Sequence, residues 1–313
     1  MYRFDYPIWI DPVIITVGPV QLTWYALAYM GGLLAGWLVI RARVSADRFS
    51  LSPSDVDDLL VYVLLGVIVG GRIGNFLFGW GYDAGSYTEQ LKSMFWPIQV
   101  MPDGSRMLAI TGMSFHGGFL GVVAATLIFW VRRKRVFSLM RLADYLALVA
   151  PIGLFFGRIA NFINRELYGR SVEPNSAIGI NFYPEGNPPY MQAQLEACLA
   201  NNPAISQKCY EAFDLTVYRH PSQLYEAFGE GLLLLAIIWW LYQLPHVKEK
   251  AGLLTGVFIT GYGVIRTAVE YVRSFDPVIG LDYLGLNRSQ ELSLPMIVIG
   301  ILLMFWASRR DTP

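Results

Sequence analysis

The sequence predicts an all-α integral membrane protein with seven transmembrane helices and a small extramembrane cap. Three observations lead there. The chain of 313 residues is 54% hydrophobic and only 15% charged, with a mean hydropathy of +0.41, whereas soluble domains carry about a quarter charged residues. Seven stretches approach the roughly 20 apolar residues that cross a bilayer as a helix: 20–40, 58–80, 111–130, 142–163, 221–242, 252–272 and 291–306. Lys and Arg are spread unequally between the loops that these stretches would place on opposite sides. The same composition excludes other classes. The 24 basic residues balance 24 acidic ones, so the basic surplus of a nucleic-acid binder is absent. Two cysteines cannot build a disulfide scaffold or a four-ligand zinc site. His116, His220 and His246 lie far apart without metal-binding spacing. Neither a metal nor a cofactor is expected.

Taken in order, the chain opens with an aromatic prelude, Tyr2, Phe4, Tyr6 and Trp9, that suits the membrane interface. It lacks the short basic region of a cleaved signal peptide. The loops 41–57, 131–141 and 243–251 and the tail 307–313 hold 12 basic residues in 44 positions; 1–19, 81–110, 164–220 and 273–290 hold nine in 124. The basic side faces inward. The N-terminus is therefore expected outside and the C-terminus inside, as an odd number of crossings requires. The chain reads as one polytopic domain, 1–313, with an outward-facing cap insertion over 164–220. Both Cys198 and Cys209 lie in that cap. A disulfide there would staple it; two free thiols are the alternative.

Ionisable residues inside spans are costly and mark functional sites. Helices 2, 4 and 6 would run outward, carrying Arg72, Arg158 with Asn161, and Arg266 with Glu270 near their outer ends. Helices 1, 3 and 5 would run inward, with Tyr25, His116, and Gln223 with Tyr225 and Glu226 near their starts. All fall within two or three turns of the outer boundary at ~1.5 Å per residue. Arg266, Glu270 and Arg273 share one helix face. Taken singly, each has a plainer reading: Arg72 snorkelling, Arg266–Glu270 a structural pair, His116 a core histidine, Tyr25 a belt aromatic. Convergence at one depth favours a shared site. Arginine presents a planar fork suited to phosphate, and His116 titrates near neutrality. The pattern points to chemistry on an anionic phospholipid headgroup whose phosphate would neutralise the arginines. A transporter is the rival, but would place polar groups at the midplane, reachable from both sides. Gly71-Arg72-Ile73-Gly74-Asn75-Phe76 echoes Gly157-Arg158-Ile159-Ala160-Asn161-Phe162, which offers Arg72 as a second anion-facing edge.

Residues 157–170 read Gly-Arg-Ile-Ala-Asn-Phe-Ile-Asn-Arg-Glu-Leu-Tyr-Gly-Arg. They resemble the signature Gly-Arg-x-(Gly/Ala)-Asn-Phe-x-Asn-x-Glu-x-x-Gly of the phosphatidylglycerol–prolipoprotein diacylglyceryl transferase family. Ile10-Asp11-Pro12, Gly18-Pro19, Trp24-Tyr25, Phe115-His116-Gly117-Gly118, Arg219 through Glu226, and Tyr262 with Arg266, Glu270 and Arg273 agree in order. The cap departs, with Arg170-Ser171-Val172 where the family has Arg-Pro-Thr. The resemblance implies a multi-pass enzyme of the bacterial inner membrane. It would transfer the diacylglyceryl group of phosphatidylglycerol to the lipobox cysteine thiol of a preprolipoprotein, leaving a thioether and glycerol 1-phosphate. On that reading His116, Arg158 and Arg266 are catalytic. Tyr25, Arg72, Asn161, Glu166, Gly169, Gln223, Tyr262, Glu270 and Arg273 bind or orient substrate. Another phospholipid-modifying membrane enzyme with the same anionic-lipid site is the neighbouring alternative.

Overall fold

The computed structural model describes residues 4–18, 20–47, 51–78, 98–100, 106–108, 114–133, 136–173, 176–186, 188–201, 209, 216–273, 286 and 288–309. The expected span ends at 79–80 and 111–113 lie outside these residues, as do cap positions 202–208 and 210–215. Arg3, Arg48, Lys92, Lys134, Arg135, Lys208 and Arg310 of the charge count also lie outside them. Five helices are long and apolar enough to cross a membrane, and two shorter apolar helices, Gly117–Arg132 and Leu253–Val269, accompany them. The chain divides into two compact units.

The unit formed by 13–26 and 33–146 opens with a hairpin of β2 (Val13–Val17) and β3 (Val20–Thr23); the first strand of the chain, β1 (Phe4–Asp5), belongs to the other unit. The hairpin was not anticipated. Its β-branched residues flank Gly18, whose φ of 57° makes the reversal cheap for a residue without a Cβ. The first span consequently starts later than position 20. Helix α1 (Trp24–Ala46) is capped by Thr23, whose hydroxyl accepts the Ala26 N–H. It continues past the expected end at 40, carrying Arg41 and Arg43.

Helix α2 (Pro53–Phe78) and helix α3 (Phe115–Arg132) pack backbone to backbone. A Cβ on Gly66 would come within 2.6 Å of the Gly121 carbonyl oxygen, so only small residues permit this approach. Trp37 Nε1 donates to Asp57 at 2.8 Å, Arg41 pairs with the same carboxylate, and Arg133 pairs with Asp55 at 3.1 Å and with Asp58. Arginines read only as orientation signals thus also tie α1 and α3 to the first turns of α2. Two short strands, β4 (Ile98–Val100) and β5 (Arg106–Leu108), form a separate antiparallel pair.

The other unit comprises 1–12, 27–32 and 147–313. Its apolar helices include most of α4 (Leu139–Ile163), then α6 (Ser222–Tyr242), α8 (Leu253–Val269) and α9 (Arg288–Arg309). A short helix α7 (Pro245–Glu249) bridges α6 and α8. Ile237, Trp240, Val264, Val298, Ile299, Leu302 and Phe305 stay exposed on these helices, as apolar faces turned to lipid would. A small sheet joins β1, β6 (Ile180–Asn181) and β7 (Tyr218–Arg219), with β1 parallel to β6 and β6 antiparallel to β7. Beneath it Tyr6 is fully buried, stacked near Phe162 and Phe182, and donates its hydroxyl to the Ile163 carbonyl at 2.9 Å. That corrects the expectation of an interfacial Tyr6: the ring locks the prelude onto the end of α4. Helix α5 (Pro189–Asn201) carries Cys198, which forms a disulfide with Cys209.

Candidate functional site

The signature ends α4 in a defined way. Arg165 takes a left-handed φ of 53°, its N–H reaches the Phe162 carbonyl at 3.0 Å, and the Glu166 N–H reaches the Asn161 carbonyl at 3.1 Å. This is the paired C-terminal cap that usually employs glycine. Here Arg165 is held by its surroundings, with its guanidinium 4.5 Å from the Tyr6 ring centre and 5.4 Å from that of Tyr183. Leu167 is also left-handed at 57°. The turn aims Glu166 back at the helix, where its Oε1 accepts the Asn161 side-chain N–H at 2.7 Å. Gln223 donates to the Glu166 carbonyl at 2.6 Å. Gly169 lies where three backbone segments cross. Its N–H reaches the His220 carbonyl at 2.7 Å, the next N–H reaches Val272, and a Cβ would meet His220 Cβ at 2.6 Å. Its contacts are those of a close crossing.

About two turns back along α4 from this turn, Arg158 joins the charged centre. Helix α6 is interrupted by a π-helical segment, Ala227–Leu233, a feature frequent at functional sites. Two glycines let its neighbours close in: a Cβ on Gly229 would stand 2.7 Å from Ile265 of α8, and one on Gly231 would stand 2.7 Å from Phe155 of α4. Each contact sits next to an arginine, Arg266 one residue on and Arg158 three residues on. Between them Glu226 is fully buried. Its Oε1 accepts from Arg266 Nη1 at 2.9 Å and from Arg273 Nη1 at 3.1 Å. Its Oε2 lies 3.1 Å from Arg158 Nη1 as a charge contact without hydrogen-bond direction. Glu230, also fully buried, accepts Arg158 Nε at 3.2 Å and Nη2 at 3.1 Å on its Oε2. Arg266 pairs with Glu270 at 2.9 Å and donates to Ser289 at 2.8 Å. The Tyr262 hydroxyl is within electrostatic reach of Glu230, Arg158, Arg266 and Glu226, and Tyr29 within that of Arg158.

The structure therefore gathers Arg158, Tyr262, Arg266, Glu270 and Arg273 into one network, with Asn161, Glu166 and Gln223 joined at the end of α4. Tyr25, Arg72 and His116 belong to the other unit. Tyr25 lies in the first turn of α1 and Arg72 late in α2; His116 is the second residue of α3, whose N-terminus Ser114 caps by accepting the Gly117 N–H, and the His116 side chain lies outside the described part. One expectation changes. The arginines do not wait for an outside anion, because Glu226, Glu230 and Glu270 balance their three charges within the chain. Glu230 escaped the sequence reading. Its signal was present, as a second carboxylate four residues after Glu226 inside an apolar stretch, on the same helix face.

Outside the spans, burial lifts Glu166 to a pKa of about 7 and presses His220 below its ordinary value. A folded-state value above the unfolded one means that folding disfavours ionised Glu166. The cost is absent below about pH 4.5, grows as pH rises, and is complete above about 7. The melting temperature of the protein should accordingly fall between pH 5 and 8 more steeply than that of Glu166→Gln. Identical profiles would show that Glu166 titrates as a solvated carboxyl.

Comparison with known proteins completes the description. Residues 12–306 match the family model described as prolipoprotein diacylglyceryl transferase. A phosphatidylglycerol–prolipoprotein diacylglyceryl transferase of Rhodospirillum rubrum is 41% identical over 305 residues, covering 97% of this chain and 94% of the relative. Proteins of the same name from Azospirillum brasilense and Paramagnetospirillum magneticum are 39% and 37% identical, each covering 96% of the chain and 96% and 95% of the relative. With the family model matching residues 12–306 and relatives 37–41% identical over nearly the whole length, the chain belongs to the prolipoprotein diacylglyceryl transferase family.

Proposed function

We propose that this protein transfers the diacylglyceryl group of phosphatidylglycerol to the lipobox cysteine of a preprolipoprotein. The products are a thioether-linked precursor and glycerol 1-phosphate, the first step of bacterial lipoprotein maturation. The reading places the chain in the bacterial inner membrane with seven crossings, its N-terminus and the 164–220 cap outside and its C-terminus in the cytoplasm. Seven apolar helices and the loop charge asymmetry support that arrangement. The observation that carries the functional reading is the buried network of Arg158, Arg266 and Arg273 around Glu226, amid apolar helices, in a chain of this family.

The chemistry follows from the groups. A thiol of pKa ~8.5 is only slightly ionised at neutral pH. Attack on the glycerol carbon bearing the phosphate therefore requires a base, and His116 is the residue assigned to it. As the S–C bond forms and the C–O bond breaks, the departing phosphate gains negative charge. Arg158 and Arg266 supply preformed N–H donors for that charge, with Arg273 beside them. Glu270 and Ser289 hold the Arg266 fork in place. Asn161, Gln223, Tyr262 and Tyr25 orient the headgroup, Arg72 adds a second anion-facing edge, and Glu166 and Gly169 shape the outer turn. The test is transfer of radiolabelled glycerolipid from phosphatidylglycerol to a lipobox peptide by purified protein. Absence of thioether product from protein with native helical content and a cooperative melt would overturn the reading. Full activity in His116→Ala would remove the histidine as base.

A further inference from the structure

The network just described is electrically full. Three guanidinium groups, Arg158, Arg266 and Arg273, face three carboxylates, Glu226, Glu230 and Glu270. A phosphodiester arriving beside Arg158 would add one negative charge to a group of side chains that is almost wholly buried. An uncompensated buried charge is expensive, and ionisable groups in that position neutralise instead. Arginine cannot supply relief, because it stays protonated. Within this network, the group able to relieve the charge is a carboxylate that gains a proton.

The three carboxylates are not equivalent. Glu226 is held by all three arginines, and Glu270 lies beside Arg266 at the end of α8. Among the described residues Glu230 pairs directly with Arg158 alone, wholly through Oε2. Its Oε1 is buried and has no hydrogen-bond partner among the described residues. The other charged or titratable groups facing it are Glu226 on its own helix and Arg266 and Tyr262 on α8. Glu226 Oε2 and Glu270 Oε2 also lack a hydrogen bond, but they lie 3.1 Å and 2.9 Å from guanidinium nitrogens. Glu230 Oε1 has neither a hydrogen bond nor an ion contact among the described residues and is the oxygen open to a proton, while its Oε2 sits on the guanidinium that the incoming anion needs.

We infer that entry of a phosphodiester anion beside Arg158 is coupled to uptake of one proton by Glu230, which makes Glu230 a positioning residue that frees the guanidinium. The inference rests on the proposed lipid reaction for the identity of the anion. The balance is simple: the acid form of the buffer gives one proton to Glu230 Oε1 and is left as its conjugate base in solution, one phosphodiester takes the carboxylate's place against Arg158, and the net charge of the network is unchanged.

The experiment is calorimetric titration of the purified full-length protein with short-chain phosphatidylglycerol in two buffers of different ionisation enthalpy at one pH. Dimethyl phosphate and a neutral short-chain diacylglycerol serve as parallel probes. About one proton taken up per phosphatidylglycerol bound is expected, with affinity weakening about tenfold per pH unit in the linked range. The neutral diacylglycerol should take up none. Uptake with dimethyl phosphate too would assign the coupling to the phosphodiester itself, and uptake with the lipid alone to the whole headgroup; either supports the proposal. Glu230→Gln, which imitates the protonated side chain, should bind with no uptake and a flat pH profile. Binding of the lipid by the parent protein without proton uptake overturns the inference even if the variant fails to fold, as does equal uptake in Glu230→Gln. A protein that couples proton uptake to lipid binding but makes no thioether would refute the transfer reaction and leave this inference standing.

Discussion

Arg158→Ala is expected to lower kcat/KM for diacylglyceryl transfer by at least about a hundredfold to a thousandfold, the range for losing a preformed donor to a developing oxyanion. The guanidinium is the hub of the proposed phosphate site. Its Nε and Nη2 bind Glu230, and its Nη1 faces Glu226. Alanine also strands the buried Glu230 carboxylate and takes one of three arginines from Glu226, so the informative companion is Arg158→Lys. Lysine restores the charge while removing the planar fork, and a compact ammonium cannot span Glu230, Glu226 and a phosphate together. The lysine variant should melt closer to the parent than alanine does and remain strongly impaired in turnover. Parental kcat/KM in Arg158→Lys would mean that charge alone suffices.

Glu226→Ala is the substitution expected to harm stability most. The carboxylate is fully buried and lies within 3.1 Å of nitrogen atoms on three arginines. Removing one member of a buried ion network costs about 3–5 kcal/mol, because its partners are left charged in a medium that cannot solvate them. For a chain of this size that corresponds to a fall in melting temperature on the order of 10 °C. Differential scanning calorimetry of the purified protein reads it directly. A fall of less than about 2 °C would mean that water or lipid already solvates the arginines, and that the network is weaker than its geometry implies. Glu226→Gln keeps the shape and an acceptor oxygen, and should fall between parent and alanine.

Both substitutions act at contacts between different helices, which sequence spacing does not reveal. The i,i+4 pair Arg266–Glu270 could be read from the sequence, because helix geometry alone brings such side chains together. The existence of apolar helices was legible for a similar reason, since bilayer thickness and hydrogen bonding within each helix constrain every stretch independently of its neighbours. The hairpin over Val13–Thr23 carried a local signal too, a β-branched run around Gly18-Pro19, but its second strand was read into the apolar stretch that begins at position 20. Tyr6 gave no such signal. Its burial depends on Phe162 and Phe182, far along the chain.

By itself the sequence determined a helical membrane chain, its apolar stretches, the family signature and the charged residues later found in one network, Glu230 excepted, because each of these is encoded within a few turns of one helix. The tertiary structure decided which charges meet. Glu230 reaches Arg158 across 72 positions and Glu226 reaches Arg266 across 40, through contacts made possible by Gly229, Gly231 and a π-helical turn. Hydropathy records that a carboxylate lies in an apolar stretch; only the packing of α6 between α4 and α8 places it against a guanidinium. That packing turned an expected anion-hungry cluster of arginines into a balanced network.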